Sequence, residues 1–167
     1  NGGEDLATFP DAAWDRVLNL NVKAIFHLTR HLVPALSKAG SESDPARVIN
    51  IGSIDGLKAP SLETYSYSAS KAAVHHMTRV LAKKLAPQHI TVNAVAPGPT
   101  ETELFRENNP PGSEGEARYL ASVPMDRFGK PDEIAAAMAF LLGEHSGYIT
   151  GQTLFIDGGA SVGRAAF

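Results

Sequence analysis

Arg47-Val48-Ile49-Asn50-Ile51-Gly52-Ser53 is short, β-branched and mostly apolar, the composition of a strand buried in a sheet. Ile90-Thr91-Val92-Asn93-Ala94-Val95-Ala96 repeats that character before Pro97-Gly98 stops it, and Thr153-Leu154-Phe155-Ile156 repeats it again before Asp157-Gly158-Gly159. Between and before these runs the period changes from two to three and four. Trp14, Val17, Leu18, Val22, Ile25, Leu28, Thr29, Leu32, Val33 and Leu36 define one face of an amphipathic helix over Pro10 to Lys38, with a kink or early end expected at Pro34. Thr64 to Leu85, rich in Ala and Ser, reads as a second helix. Pro131-Asp132-Glu133 opens a third, because proline fits the first helical position and acids suit its positive end. Residues 99–128, with Pro99, Pro110, Pro111, Gly112 and Gly115, read as a long irregular segment with short helices. Alternation of helix and short apolar strand predicts an α/β fold, a parallel sheet with helices on both faces in three layers. Ligands of such sheets sit beyond the carboxyl ends of the strands, which directs attention to Ser53 and to the residues after Pro97.

The chain has 167 residues, 43% of them hydrophobic and 20% charged, as expected for one globular domain with a real core. Eighteen acids against fifteen bases give a net charge of −3, which offers no attraction to nucleic acid or to an anionic membrane surface. Absence of cysteine excludes disulfides and thiolate metal sites. No apolar run approaches the ~20 residues needed to span a bilayer, and no secretory pattern opens the chain, so the cytoplasm is the expected compartment. The first residues are Asn1-Gly2-Gly3, a turn signal, which reads as a cut from something longer.

Ser53 ends the first strand; fourteen residues on lies Tyr67, and four further Lys71. A spacing of four places Tyr67 and Lys71 on one helical face. A phenol with a pKa near ~10 is a poor base at neutral pH, and a neighbouring ammonium favours the phenolate. Such a tyrosine can pass a proton to or from a carbonyl or alcohol oxygen, while a serine hydroxyl at the strand end donates a hydrogen bond to the same oxygen. Tyr-x-x-x-Lys alone is short and common and reads better as a surface pair. The strand-terminal Gly52-Ser53, the Gly56/Pro60 loop and the Pro97-Gly98 exit around it favour the chemical reading. Tyr65 has Ala69, which carries no charge, four positions on. Asn21 lies on the apolar face of the first helix, where an amide needs partners or costs ~1–3 kcal/mol. It either bonds a helix carbonyl at a bend or holds a water near the site. His27 and His31, four apart, have no acidic third ligand placed with them and read as packing or surface residues. His75 and His76 divide between packing and solvent, and Asp55 reads as a solvated turn acid. A hydrolase elbow is excluded because Ile51-Gly52-Ser53-Ile54-Asp55 misplaces the glycines of Gly-x-Ser-x-Gly.

Asn1-Gly2-Gly3, Leu20-Asn21-Val22, Ile49 to Ser53, Tyr67-Ser68-Ala69-Ser70-Lys71-Ala72-Ala73, Val92 to Gly98 and Ile156-Asp157-Gly158-Gly159 together resemble the C-terminal two-thirds of a short-chain dehydrogenase/reductase, closest in flavour to 3-oxoacyl (β-ketoacyl) reductases. The resemblance implies a Rossmann-type, doubly wound sheet lacking its N-terminal Gly-rich βαβ part, with residues 99–128 as a substrate lid. It implies an NAD(P)(H)-dependent oxidoreductase interconverting a ketone, first of all a 3-oxoacyl thioester, and a secondary alcohol, with NADP preferred and NAD possible. Tyr67 is then the general acid/base, and Lys71 lowers its pKa and bonds the nicotinamide ribose. Ser53 orients the substrate oxygen and Asn21 supports a water relay to Lys71. Pro97-Gly98 admits the nicotinamide, Thr100 and Thr102 reach the carboxamide and phosphate region, and Asn1-Gly2 lie near the adenosine ribose. No metal is implied. The first two helices are implied to build a homotetramer or homodimer interface. No Gly-x-Gly-x-x-Gly follows a strand in this chain, and that absence supports a competing expectation, a truncated, non-catalytic relative serving as an assembly module. It also leaves the Arg47–Ser53 strand with an unpaired edge.

Overall fold

The computed structural model describes residues 5–60 and 62–163. Asn1 and Gly2 therefore lie outside the described residues. Three strands, β1 (Ala46–Ile51), β2 (Ile90–Pro97) and β3 (Thr153–Ile156), form a parallel sheet in the order β1-β2-β3. Ile51 pairs with Val95 and Ala96 with Phe155, so Gly52-Ser53, Pro97-Gly98 and Asp157 emerge along one edge. Each strand lies within a residue or two of its expected place, because a buried apolar run has few other ways to satisfy both its side chains and its backbone.

The long first helix is divided. α1 (Asp11–Leu18) passes through a π-helical segment at Asn19–Lys23 into α2 (Ala24–Ala39). The expected stop at Pro34 does not occur. Pro34 lies on the exposed side close to the helix end, where it forfeits one hydrogen bond without having to displace a packed neighbour. α3 (Tyr65–Leu85) lies across β1 and β2, with Ser66, Ser70, Val74, His75 and Thr78 buried. Ala82 and Leu85 of α3 pack with Ile90 and Val92 of β2, and Val33 and Leu36 of α2 close the same cluster with Val48 of β1. The small face of α3 permits this close approach. The buried pair Asn50 and Thr78 is satisfied internally: Asn50 Nδ2 donates to Thr78 Oγ1 at 2.9 Å, and that hydroxyl donates to Val74 O at 2.8 Å. Thr91 and Asn93, which alternate with Val92, point to the opposite sheet face, where Leu141 lies beside Asn93. Leu141 belongs to α6 (Pro131–Leu142), which contacts all three strands. Pro131 starts α6 as expected, and the Glu133 carboxylate accepts the Lys130 N–H at 2.8 Å.

Residues 99–128 are more ordered than their composition suggests. Their ends are joined by a bridge between Thr100 and Gly129. Within lie α4 (Glu103–Asn108) and α5 (Glu114–Ala121). Arg106 ties them together: it bonds Glu101 at 2.6 Å, pairs with Glu116, and lies over the Phe128 ring, itself 4.8 Å from Phe105.

Candidate active site

Ser53 leaves β1 in an extended conformation and caps a single 3-10 turn at Ile54–Gly56, its hydroxyl accepting the Asp55 N–H at 3.2 Å. That hydroxyl also lies by the phenol of Tyr67 in the first turns of α3, where it favours the phenolate. One turn on, the Lys71 ammonium sits 5.5 Å from the centre of the Tyr67 ring and donates to Ile51 O at 2.9 Å. The structure thus brings Ser53, Tyr67 and Lys71 together at the carboxyl edge of the sheet.

The electrostatics differ from the sequence expectation. Tyr67 is held above its ordinary value, not below it. Burial disfavours the phenolate most, the Ser53 hydrogen bond opposes this, and the Asp55 carboxylate adds to the rise. Lys71 is held below its ordinary value by burial. Its ammonium faces the ring rather than the hydroxyl, so its charge does not offset the burial of the phenol. Asp55, expected to be a solvated turn acid, is partly buried; burial raises its pKa and the nearby Lys58 opposes that. Lys58 reaches across to Ala160 O at 2.6 Å, fixing the loop after Ser53 against the chain beyond β3.

Asn21 lies in the π segment. Its amide donates to Ser70 Oγ at 3.0 Å, and Ser70 Oγ donates to Tyr67 O at 2.7 Å. Its amide hydrogen bond therefore supports the backbone of Tyr67 rather than Lys71. A π-turn widens the helix by one residue and so presents a side chain that a regular helix would turn away. Gly98 is needed where it is, because a Cβ there would stand 2.7 Å from Asp157 Cβ; the close approach that requires glycine is to β3's exit. The Thr100 hydroxyl donates to Gly98 O at 2.9 Å, and the Thr102 hydroxyl accepts the Phe105 N–H at 3.1 Å as the cap of α4. Both are held beside the strand exit but engaged in local bonds.

Two residues near the site go beyond the sequence reading, which leaves Tyr119 unremarked and assigns His75 to packing or solvent. Tyr119 of α5 is raised by burial and by the fields of Asp55 and Tyr67, so the 99–128 segment brings a second phenol towards the first. His75 of α3 is buried and contacts both main-chain groups of Ser53. Its signal was present, a histidine two steps of four beyond Tyr67. Tyr65, by contrast, packs edge-on against Phe9 at 5.4 Å, beside a cavity of about 740 Å³ lined by Trp14 and Leu62 and by none of Ser53, Tyr67 and Lys71. Among the described residues no group of three or more His, Asp or Glu is arranged to hold a metal ion, and no helix is long and apolar enough to cross a membrane.

A family profile described as enoyl-(acyl carrier protein) reductase matches residues 2–161. This chain belongs to the short-chain dehydrogenase/reductase family. A rhamnolipid-biosynthesis 3-oxoacyl-(acyl-carrier-protein) reductase of Pseudomonas aeruginosa is 42% identical over 159 residues, which are 94% of this chain and 61% of that protein. The 3-oxoacyl-(acyl-carrier-protein) reductase FabG of Thermotoga maritima is 40% identical, with 92% of this chain and 59% of that protein covered. Among solved structures, the Pseudomonas aeruginosa RhlG/NADP active-site complex superposes with a TM-score of 0.88 at 40% identity, covering 95% of this chain and 62% of that one. A 3-ketoacyl-(acyl-carrier-protein) reductase of Brucella melitensis complexed with NADH gives 0.82 at 31% identity, with 95% and 62% covered. The chain spans about three-fifths of the length of these relatives. The fold is accordingly the Rossmann-type parallel sheet of the family over that span.

Proposed function

We propose that the protein is an NAD(P)(H)-dependent oxidoreductase that interconverts a ketone and a secondary alcohol, with a 3-oxoacyl thioester as the carbonyl substrate. One observation carries this: a phenol and a serine hydroxyl meet at the carboxyl edge of the sheet, with an ammonium 5.5 Å from the centre of the phenol ring. The relatives named as 3-oxoacyl reductases supply the substrate class.

Ser53 donates a hydrogen bond to the substrate oxygen and Tyr67 gives that oxygen its proton. A raised pKa suits this direction: the phenol stays protonated at neutral pH and can act as the acid in carbonyl reduction. A bound nicotinamide dinucleotide supplies the hydride. The residues present fit its nicotinamide-ribose end. Lys71 is partly buried, its ammonium bonds Ile51 O, and among the described residues no carboxylate ion-pairs with it, which leaves donors for ribose hydroxyls. Pro97-Gly98, Thr100 and Thr102 would flank the carboxamide and phosphates. NADP is the preferred form, as in the RhlG complex, with NAD the alternative. Asn21 steadies Tyr67 through Ser70. Residues 99–128 act as the lid, closed at their base by the Thr100–Gly129 bridge. In this reading the protein works in the cytoplasm, as a homotetramer or homodimer; Leu20, Leu28, Leu32 and Val80, left exposed on its helices, support self-association.

Calorimetric titration with NADPH and NADH tests the reading. Micromolar binding is expected. Millimolar binding or none overturns it and favours the non-catalytic assembly module.

A further inference from the structure

Ser53 is gripped from behind by α3. His75 is 3% exposed, and its Nε2 lies 2.9 Å from Ser53 O and 3.3 Å from Ser53 N, while Nδ1 lies 3.2 Å from Thr153 Oγ1 on β3. One ring nitrogen cannot donate and accept at once. With the hydrogen on Nε2 the ring donates to Ser53 O and accepts from Thr153; with it on Nδ1 the ring accepts the Ser53 N–H and donates to Thr153, so either neutral tautomer ties the Ser53 peptide to β3. The imidazole also occupies the space beside Gly52, where a Cβ would fall 2.1 Å from His75 Cε1.

Tyr67, Lys71 and His75 follow one another at intervals of four on α3. Lys71 donates to Ile51 O and His75 bonds the Ser53 peptide. Tyr67, the third residue of the stripe, meets the Ser53 hydroxyl.

We propose that His75 is a positioning residue, which locks the Ser53 peptide through a neutral imidazole bridging that peptide and Thr153, so that the Ser53 hydroxyl faces Tyr67. The proposal rests on the reading of Ser53 and Tyr67 as the proton-transfer pair. Turning the Ser53 peptide swings its hydroxyl, and a displacement of ~1 Å at such a group costs about a hundredfold in rate. A buried imidazole needs partners whatever its role; here they are the Ser53 peptide and Thr153 on β3.

The test compares His75→Leu, which fills the space without bonding, with His75→Gln, whose amide offers one donor and one acceptor like the neutral ring. Turnover of a 3-oxoacyl thioester with NADPH and ultraviolet titration of the Tyr67 phenol are both measured, the latter as a difference from Tyr67→Phe. H75L is expected to lower kcat about a hundredfold with KM within about threefold, and to move the Tyr67 titration to higher pH; H75Q is expected to restore most of both. An H75L protein that melts earlier yet keeps wild-type kcat and an unmoved Tyr67 titration overturns the proposal. Should the unaltered protein show no turnover, the proposed function fails, and the phenol titration alone then decides the role of His75.

Discussion

Gly52→Ala probes the junction between fold and site. The added Cβ would lie 2.1 Å from His75 Cε1, 2.6 Å from His75 Nε2 and 2.9 Å from Val95 O, so both the imidazole and the strand must shift. Overpacking of this kind costs about 1–3 kcal/mol. Moving the imidazole also breaks its bonds to the Ser53 peptide and Thr153, each worth about 1 kcal/mol net. The total is roughly 3–5 kcal/mol, or a fall in Tm of roughly 6–20 °C for a domain of this size. Calorimetric melting of the wild type, G52A, His75→Ala and the double variant measures it. In the double variant the imidazole is gone and only the Val95 carbonyl opposes the methyl, so the two changes should couple by at least about 1 kcal/mol. A G52A protein melting within a degree or so of wild type, or strictly additive variants, would refute the packing argument.

Tyr67→Phe should flatten the alkaline limb of stability. The Tyr67 pKa is raised in the folded protein, so its contribution is fully present below the ordinary value of 10.0 and is lost as pH rises through the folded value; denaturant melts from neutral to strongly alkaline pH should show wild type losing more than Y67F. Asp55→Asn should move the Tyr67 titration to lower pH, because it removes a carboxylate that opposes the phenolate; an unmoved midpoint would show that this field is negligible. Ser70→Ala removes the hydroxyl joining Asn21 to Tyr67 O and should cost about 1–3 kcal/mol in chemical denaturation, since the half-buried amide of Asn21 loses its acceptor; a cost under a few tenths would place that amide in water.

Much of the fold was legible because burial leaves a plain signature. Ile90–Ala96 is mostly apolar and emerges as a fully buried central strand; Pro131 with Glu133 announces a helix start and provides one. Tyr67, Lys71 and Ser53 were legible as a group because a strand end and a helical repeat of four place them by backbone geometry alone. What failed depended on tertiary contacts. The π segment at Asn19–Lys23 carries no glycine or proline; it is held by a bond from Asn21 to a residue 49 positions away. His75 and His76 differ by one step on a helix whose Ala and Ser give no clear apolar stripe, so only packing reveals that the first is buried and the second exposed. The direction of the Tyr67 shift turned on burial and on Asp55, neither of which a Tyr-x-x-x-Lys spacing encodes.

The central claim is that Tyr67 carries the proton to the substrate oxygen. Its most direct test is the steady-state rate of NADPH oxidation by Tyr67→Phe with a 3-oxoacyl thioester, beside a circular dichroism spectrum showing that the variant is folded. The account predicts a folded protein with a loss of at least about 10²–10⁴-fold in kcat, the span of a positioned acid. A folded Y67F turning over near the wild-type rate would contradict it.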